Sequence, residues 1–229
     1  MEEKEKNRKY MKSIKLTLAL AFALAAMPLA SRAYVWSSCA QWGTYTSSGY
    51  TFYCDEWGST ASECCNLNSI TSWNVVSSVP TGGGVKGYPN TARASIGKTV
   101  NNYSGSGSWN GSEPSGTYWD LAYDIWVPRE VMVWVNWSSG VGPWGTYTTT
   151  VSLDGQSWDV YVASGGPVNF LRKSHANSGS VNLSTLIKWG VTKGYYSGTG
   201  TINGAGIGFE IFGSGSSHTW YMNSCSIGT

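Results

Sequence analysis

Charge, histidine and long apolar runs are all scarce in this chain, and each shortage closes a class of function. Of 229 residues only 12% are Asp, Glu, Lys or Arg, and there are two His. Beyond the first 33 residues no Lys/Arg cluster is available to track a phosphate backbone, so nucleic acid is not an expected partner. His175 and His218 lie far from any cysteine pair, and no zinc-ligand spacing occurs, so no metal is expected. A G-x-S-x-G elbow is missing too, which removes the best-marked route to serine hydrolysis.

The one long apolar run, Leu16 to Ala26, follows the basic Lys12 and Lys15 and leads to Ser31-Arg32-Ala33. A basic start, a short apolar centre and small residues before a cut describe a secretory signal, with cleavage expected after Ala33. The run is too short to span a bilayer comfortably and Pro28 follows it, so no membrane association is expected once it is removed. Residues 1–33 are therefore assigned to export, and residues 34–229 to one secreted, monomeric domain. Seven of the 15 basic and three of the 13 acidic residues fall in the signal, which leaves 8 against 10 and a net charge of −2.

What remains is rich in Gly, Ser, Thr and aromatic residues, including all 13 Trp. Short segments of alternating polarity, such as Tyr118 to Val127, Arg129 to Val135 and Gly206 to Phe212, are separated by Gly/Ser/Asn/Pro clusters. Only Val181 to Trp189 reads as a helix, capped by Ser180 or Asn182 and followed by Gly190. The economical fold is all-β: a jelly-roll sandwich of two antiparallel sheets with one short helix and a concave face.

Ten carboxylates remain after the signal: Asp55, Glu56, Glu63, Glu113, Asp120, Asp124, Glu130, Asp154, Asp159 and Glu210. Asp154 sits in the hairpin signature Leu153-Asp154-Gly155-Gln156, which explains it. Alternation puts Glu130 on one strand face with Met132 and Trp134, while Val131, Val133 and Val135 face the core. Glu210 shares a face with Gly208 and Phe212, and Phe209 and Ile211 take the apolar side. Asp124 alternates with Trp126, and a turn at Pro128 returns the chain directly to Glu130, so the two strands should be neighbours. Paired carboxylates on rigid, aromatic-lined strands suit glycosidic hydrolysis, where one group protonates the leaving oxygen and the other attacks the anomeric carbon or activates water against it. A non-catalytic carbohydrate-binding sandwich is the competing reading, since such modules also expose tryptophans.

Four segments resemble glycoside hydrolase family 12, secreted β-1,4-glucanases. They are Cys39-Ala40-Gln41-Trp42 with Tyr50 and Trp57-Gly58; Tyr88-Pro89-Asn90; Tyr123-Asp124-Ile125-Trp126 with Glu130-Val131-Met132-Val133-Trp134; and Gly208-Phe209-Glu210-Ile211-Phe212. The resemblance implies endo-acting hydrolysis with retention of anomeric configuration and no cofactor. Glu130 would be the nucleophile, Glu210 the acid/base, and Asp124 the partner of Glu130, with the two glutamate carboxyls about 5 to 5.5 Å apart. Trp42 and Trp57 would line the non-reducing side of the cleft, with Trp134 a third stacking surface beside Met132. The resemblance also implies a Cys39–Cys64 disulfide, and it offers no pairing for Cys54, Cys65 or Cys225. Asp55 stands where the family commonly has Asn, a change with consequences for pH optimum or substrate choice. The expected substrate is soluble cellulose or mixed-linkage β-glucan, with xyloglucan as the alternative.

Overall fold

In the computed structural model, residues 33–57 and 62–229 are described. The segment read as a secretory signal, apart from Ala33, lies outside them. In chain order the strands are β1 (Trp36–Ser38), β2 (Thr44–Ser47), β3 (Tyr50–Tyr53), β4 (Ser62–Ser69), β5 (Ser72–Ser78), β6 (Asn90–Arg93), β7 (Lys98–Thr99), β8 (Gly107–Ser112) and β9 (Tyr118–Trp126). They continue with β10 (Val131–Trp137), β11 (Thr146–Leu153), β12 (Gln156–Val162), β13 (Val168–Arg172), β14 (Ser178–Val181), β15 (Thr201–Ile202), β16 (Gly204–Gly213) and β17 (His218–Ile227). The helix α1 (Leu183–Thr192) lies between β14 and β15.

Six strands form one sheet in the order β1-β4-β5-β17-β8-β14, and nine form the other in the order β11-β12-β13-β10-β9-β16-β6-β3-β2. Their inner faces meet in a single core that the alternation dictates. β9 sends Trp119, Leu121, Tyr123 and Ile125 inward, β10 sends Val131, Val133 and Val135, and β16 sends Ala205, Ile207, Phe209 and Ile211. The smaller sheet answers with Leu67, Trp73, Val75, Trp109, Trp220 and Met222. Phe209 packs edge-on against both Trp73 and Trp119, at ring-centroid distances of 5.9 and 6.3 Å. The jelly-roll sandwich read from the sequence is therefore the fold.

Three details differ from the sequence reading. The helix begins two residues later than expected, because Val181 still pairs in β14 and Asn182 caps, its side chain accepting from Thr185 N at 3.1 Å. Gly190 lies inside the helix, where the Tyr196 hydroxyl packs too close for any side chain. The larger sheet also contains one parallel pair, β10 with β13, among otherwise antiparallel ladders.

That parallel pair sets the path of the chain. β13 runs antiparallel to β12 and β12 to β11, so β10 and β11 point the same way. Residues 138–145 must then travel back along the sheet, and they do so over its outer face, where Val141 packs against the cluster of Ala122, Met132, Trp134 and Leu171.

Candidate active site

β9 is the organising strand of the concave face, with β10 on one side and β16 on the other. Its even-numbered residues face away from the core. In the ladders Asp124 stands opposite Met132 of β10 and Gly206 of β16, and Asp120 stands opposite Glu210. A bulge in β10 between Trp134 and Asn136 turns Trp137 onto the same face, opposite Asp120. Glu130 sits just before β10, half-buried, with its carbonyl accepting from Val168 N at 2.9 Å, which fixes the backbone that carries the side chain. Glycines at 206 and 208 leave the floor low: a Cβ at 206 would meet Asn90 Oδ1 at 2.9 Å, and one at 208 would strike the Pro89 carbonyl.

The structure thus brings together the three carboxylates picked from the sequence and adds a fourth, Asp120. They form two pairs. Asp124, 7% exposed, is hydrogen-bonded to Glu130 and also accepts from Trp126 Nε1 at 3.1 Å. Asp120, fully buried, is hydrogen-bonded to Glu210, and neither of its oxygens meets an N–H or hydroxyl donor. Two carboxyls can share a hydrogen bond only if one keeps a proton. Burial pushes Asp124 well above the usual carboxylate range, and the negative charge and hydrogen bond of Glu130 push it further. Burial raises Asp120 in the same way, again reinforced by the charge of Glu210. Glu210 is raised by burial, lowered by its hydrogen bond from Asp120 and raised by the charge of Glu130. Each aspartate is the more deeply buried member of its pair, so burial favours the shared proton there over the half-buried glutamate.

Tyr88 closes the floor beneath all four. Its hydroxyl donates to the Ala122 carbonyl at 3.1 Å, midway along β9 between the two aspartates. Burial and then the charges of Asp124, Glu210, Asp120 and Glu130 hold the phenol protonated. It belongs to the Tyr-Pro-Asn segment that carried the resemblance, although the sequence alone gave it no role.

The other expected site residues fall into two groups. Trp42 and Trp57 are 57% and 50% exposed and keep free ring surface, and Asp55 lies beside them with a left-handed φ of 44° and Oδ2 accepting from Asn90 Nδ2 at 3.3 Å. Burial raises the Asp55 carboxyl, and that contact with Asn90 partly offsets it. Trp134 and Met132 need correction. They are 2% and 7% exposed, packed with Ala122 and Leu171 under Trp137, Val141, Tyr161 and Phe212, so Trp134 offers no open ring to a sugar. Val141, on the segment returning from β10 to β11, is part of that cover. That same segment carries Trp144, which is 67% exposed and lines a cavity of about 420 Å³ with Pro128, Arg129, Glu130, Gly165, Gly166 and Pro167. Trp144 was missed because it lies in a loop whose course depends on strand direction, which local alternation does not report.

The Cys39–Cys64 disulfide implied by the resemblance is formed. Cys54, Cys65 and Cys225 are buried thiols. Among the described residues no cluster of His, Cys, Asp and Glu suited to a metal ion occurs.

No family model matches the sequence. Curated relatives do. A probable xyloglucan-specific endo-β-1,4-glucanase A of Aspergillus fumigatus is 29% identical over 196 residues, spanning 74% of this chain and 81% of the relative. The xyloglucan-specific endo-β-1,4-glucanase A of Aspergillus aculeatus is 29% identical over 175 residues, spanning 66% and 74%. Among solved structures, the xyloglucanase domain of the type three effector NopAA from Sinorhizobium fredii, in complex with cellobiose, superposes with a TM-score of 0.79 at 29% identity, covering 85% of this chain and 99% of that one. Endoglucanase 3 of Trichoderma harzianum, from family GH12, gives 0.76 at 26%, covering 84% and 96%.

Two outcomes are expected of this geometry. The folded-state pKa values of Asp120 and Asp124 lie above the unfolded value of about 3.9, so the folded chain binds more protons than the unfolded one as pH rises past 4. Stability is then greatest below that value and falls as pH climbs toward the folded pKa values. Asp124→Asn flattens the slope, which thermal melts between pH 4 and 8 will register; an unchanged slope would place Asp124 ionised. The two tryptophans should separate as well. Trp144→Ala weakens oligosaccharide binding about tenfold with little change in melting temperature, as for loss of one stacked ring, whereas Trp134→Ala costs about 3 to 5 kcal/mol of stability by emptying a packed site. Calorimetric titration paired with urea unfolding checks both.

Proposed function

The chain belongs to glycoside hydrolase family 12 and is an endoglucanase of that family, and from this premise we propose that it cleaves the β-1,4-glucan backbone of xyloglucan by retaining double displacement, with Glu130 and Glu210 as the reacting carboxyls. The observation that carries the reading is the pairing of each glutamate with its own buried aspartate across β9.

In the first step the Glu130 carboxylate attacks the anomeric carbon while Glu210 gives its proton to the departing glycosidic oxygen, leaving a glycosyl ester on Glu130. In the second, Glu210, now a carboxylate, removes a proton from water as the water opens the ester, and both groups return to their starting states. Asp124 supports the first half. Its proton held by burial, Asp124 would donate a hydrogen bond to the attacking carboxylate of Glu130. Burial and the charge of Glu130 keep Glu210 above the ordinary glutamate range, as an acid that must be protonated near neutral pH requires. Trp42 and Trp57 would hold sugar rings on one side of the scissile bond and Trp144 on the other.

The substrate choice moves from the linear glucans expected of the sequence to xyloglucan. It rests on relatives at 29% identity that are named for that substrate and align across most of the chain. A non-catalytic binding role has no support among these relatives, which are hydrolases.

Reducing-end release from xyloglucan, barley β-glucan and carboxymethyl-cellulose tests the reading. Xyloglucan should be the fastest by at least tenfold; Glu130→Ala and Glu210→Gln should each lower kcat by three orders of magnitude or more, with Glu210→Gln still binding the polysaccharide. Equal rates on all three glucans would return the assignment to a general endoglucanase, and full activity in Glu130→Ala would end it. We also assign residues 1–33 to export, on the basic flank, apolar run and Ser-Arg-Ala site. Protein recovered from the medium of an expressing host should begin at Tyr34; an intact Met1 terminus there would refute the assignment.

A further inference from the structure

Asp120 has no role in the mechanism above, yet it is among the most enclosed polar groups in the protein. It is fully buried, on the cleft face rather than in the sandwich core, with neither oxygen meeting a protein N–H or hydroxyl donor. Trp137 stands across from it on β10, where the bulge has turned that ring onto the cleft face. Its partner across the other ladder is Glu210, the two residues being in direct register between β9 and β16. An ionised carboxylate in such a place would lack a single compensating donor, at a cost that ordinarily neutralises the group. A protonated one has a use, because its O–H can point only toward a carboxylate that needs it.

Resting on the assignment of Glu210 as the acid/base, we infer that Asp120 is a positioning residue: a permanently protonated aspartic acid whose O–H donates to Glu210 and stabilises the carboxylate left behind each time Glu210 delivers its proton. The proton on Asp120 never leaves. Glu210 alone gives one to the glycosidic oxygen and takes one from water, so the cycle balances without Asp120 changing state. A second aspartate–glutamate pair, Asp124 with Glu130, lies four residues along the same strand, although there the direct ladder partner is Met132 and Glu130 sits just before β10. The other ionisable groups near the pair are Asp124, Glu130 and the Tyr88 phenol. Asp124 and Tyr88 are held neutral by burial, so the charge of Glu130 is the main competing influence on Glu210.

The test uses Asp120→Asn, which keeps a donor but has no proton to lose, and Asp120→Leu, which removes the donor. Infrared difference spectra of the free protein at neutral pH should show a protonated-carboxyl band in the wild type that disappears in Asp120→Asn; persistence of every such band would mean that Asp120 is ionised and would overturn the inference. In kcat/KM profiles on a soluble glucan, losing the donor raises the Glu210 pKa, so the alkaline limb of Asp120→Leu should move upward by about one unit with kcat down about tenfold or more. Asp120→Asn should return the limb to its wild-type position. Superimposable limbs for wild type and a folded Asp120→Leu, or an Asp120→Asn limb displaced as far as that of Leu, would each sink the idea. Should Asp120→Leu not fold, the infrared band and the Asn profile decide. A wild type inactive on every glucan would refute the assignment of Glu210, while the infrared result would still report on Asp120.

Discussion

Four carboxyl groups gathered on one face around β9, two of them buried and two half-buried, cannot all be ionised, and much of the site follows from that constraint. Asp120 is fully buried and Asp124 nearly so, and no Lys or Arg is among the groups that shift Asp120, Asp124 or Glu210. The charge has to be managed by protons. The deeper member of each pair, an aspartate on β9, keeps its proton, and the shallower glutamate at the edge of the pair is left to change state. In the proposed mechanism, depth below the surface sorts four chemically similar acids into two that hold their protons and two that react.

The sandwich supplies the rigidity that this sorting needs. Every second residue of β9, β10 and β16 is committed to the core, so the intervening residues cannot rotate away without exposing Val133, Tyr123 or Phe209. Tyr88 pins the centre of β9 from below through the Ala122 carbonyl. The low, glycine-lined stretch of β16 beside Asn90 leaves room above the floor for a chain of sugars, while the exposed tryptophans stand at the margins.

Much of this was legible in the sequence. Period-two alternation found β9, β10 and β16, their core faces and three of the four carboxyls, because that pattern is local and strongly enforced by burial. Asp120 obeys the same alternation as Asp124, and counting back four residues along the strand would have found it; what hid it was the lack of any sign of its partner on β16, far off in sequence. The Ser/Gly-rich β8 and β14 carry almost no apolar period, and their pairing comes from the sheet around them, as where Gly107 lets the Tyr123 ring approach closely. Trp134 was read as exposed because alternation reports which face a residue takes, never what lies over that face.

The segment over Trp134 has a further consequence, one of chain reach. From Trp137 to Thr146 the backbone must travel back the length of β10 and sideways past β13 and β12, a diagonal of about 25 Å at ordinary strand rise and spacing. Nine Cα steps extend to only about 30 Å. With so little slack, this wall of the cleft cannot swing open as a flap without unpairing the end of β10 or the start of β11. Its height is tied to strand length: two residues added to β10 would have to be matched by a comparable insertion in the loop, so the width of the groove and the length of its floor can change only together.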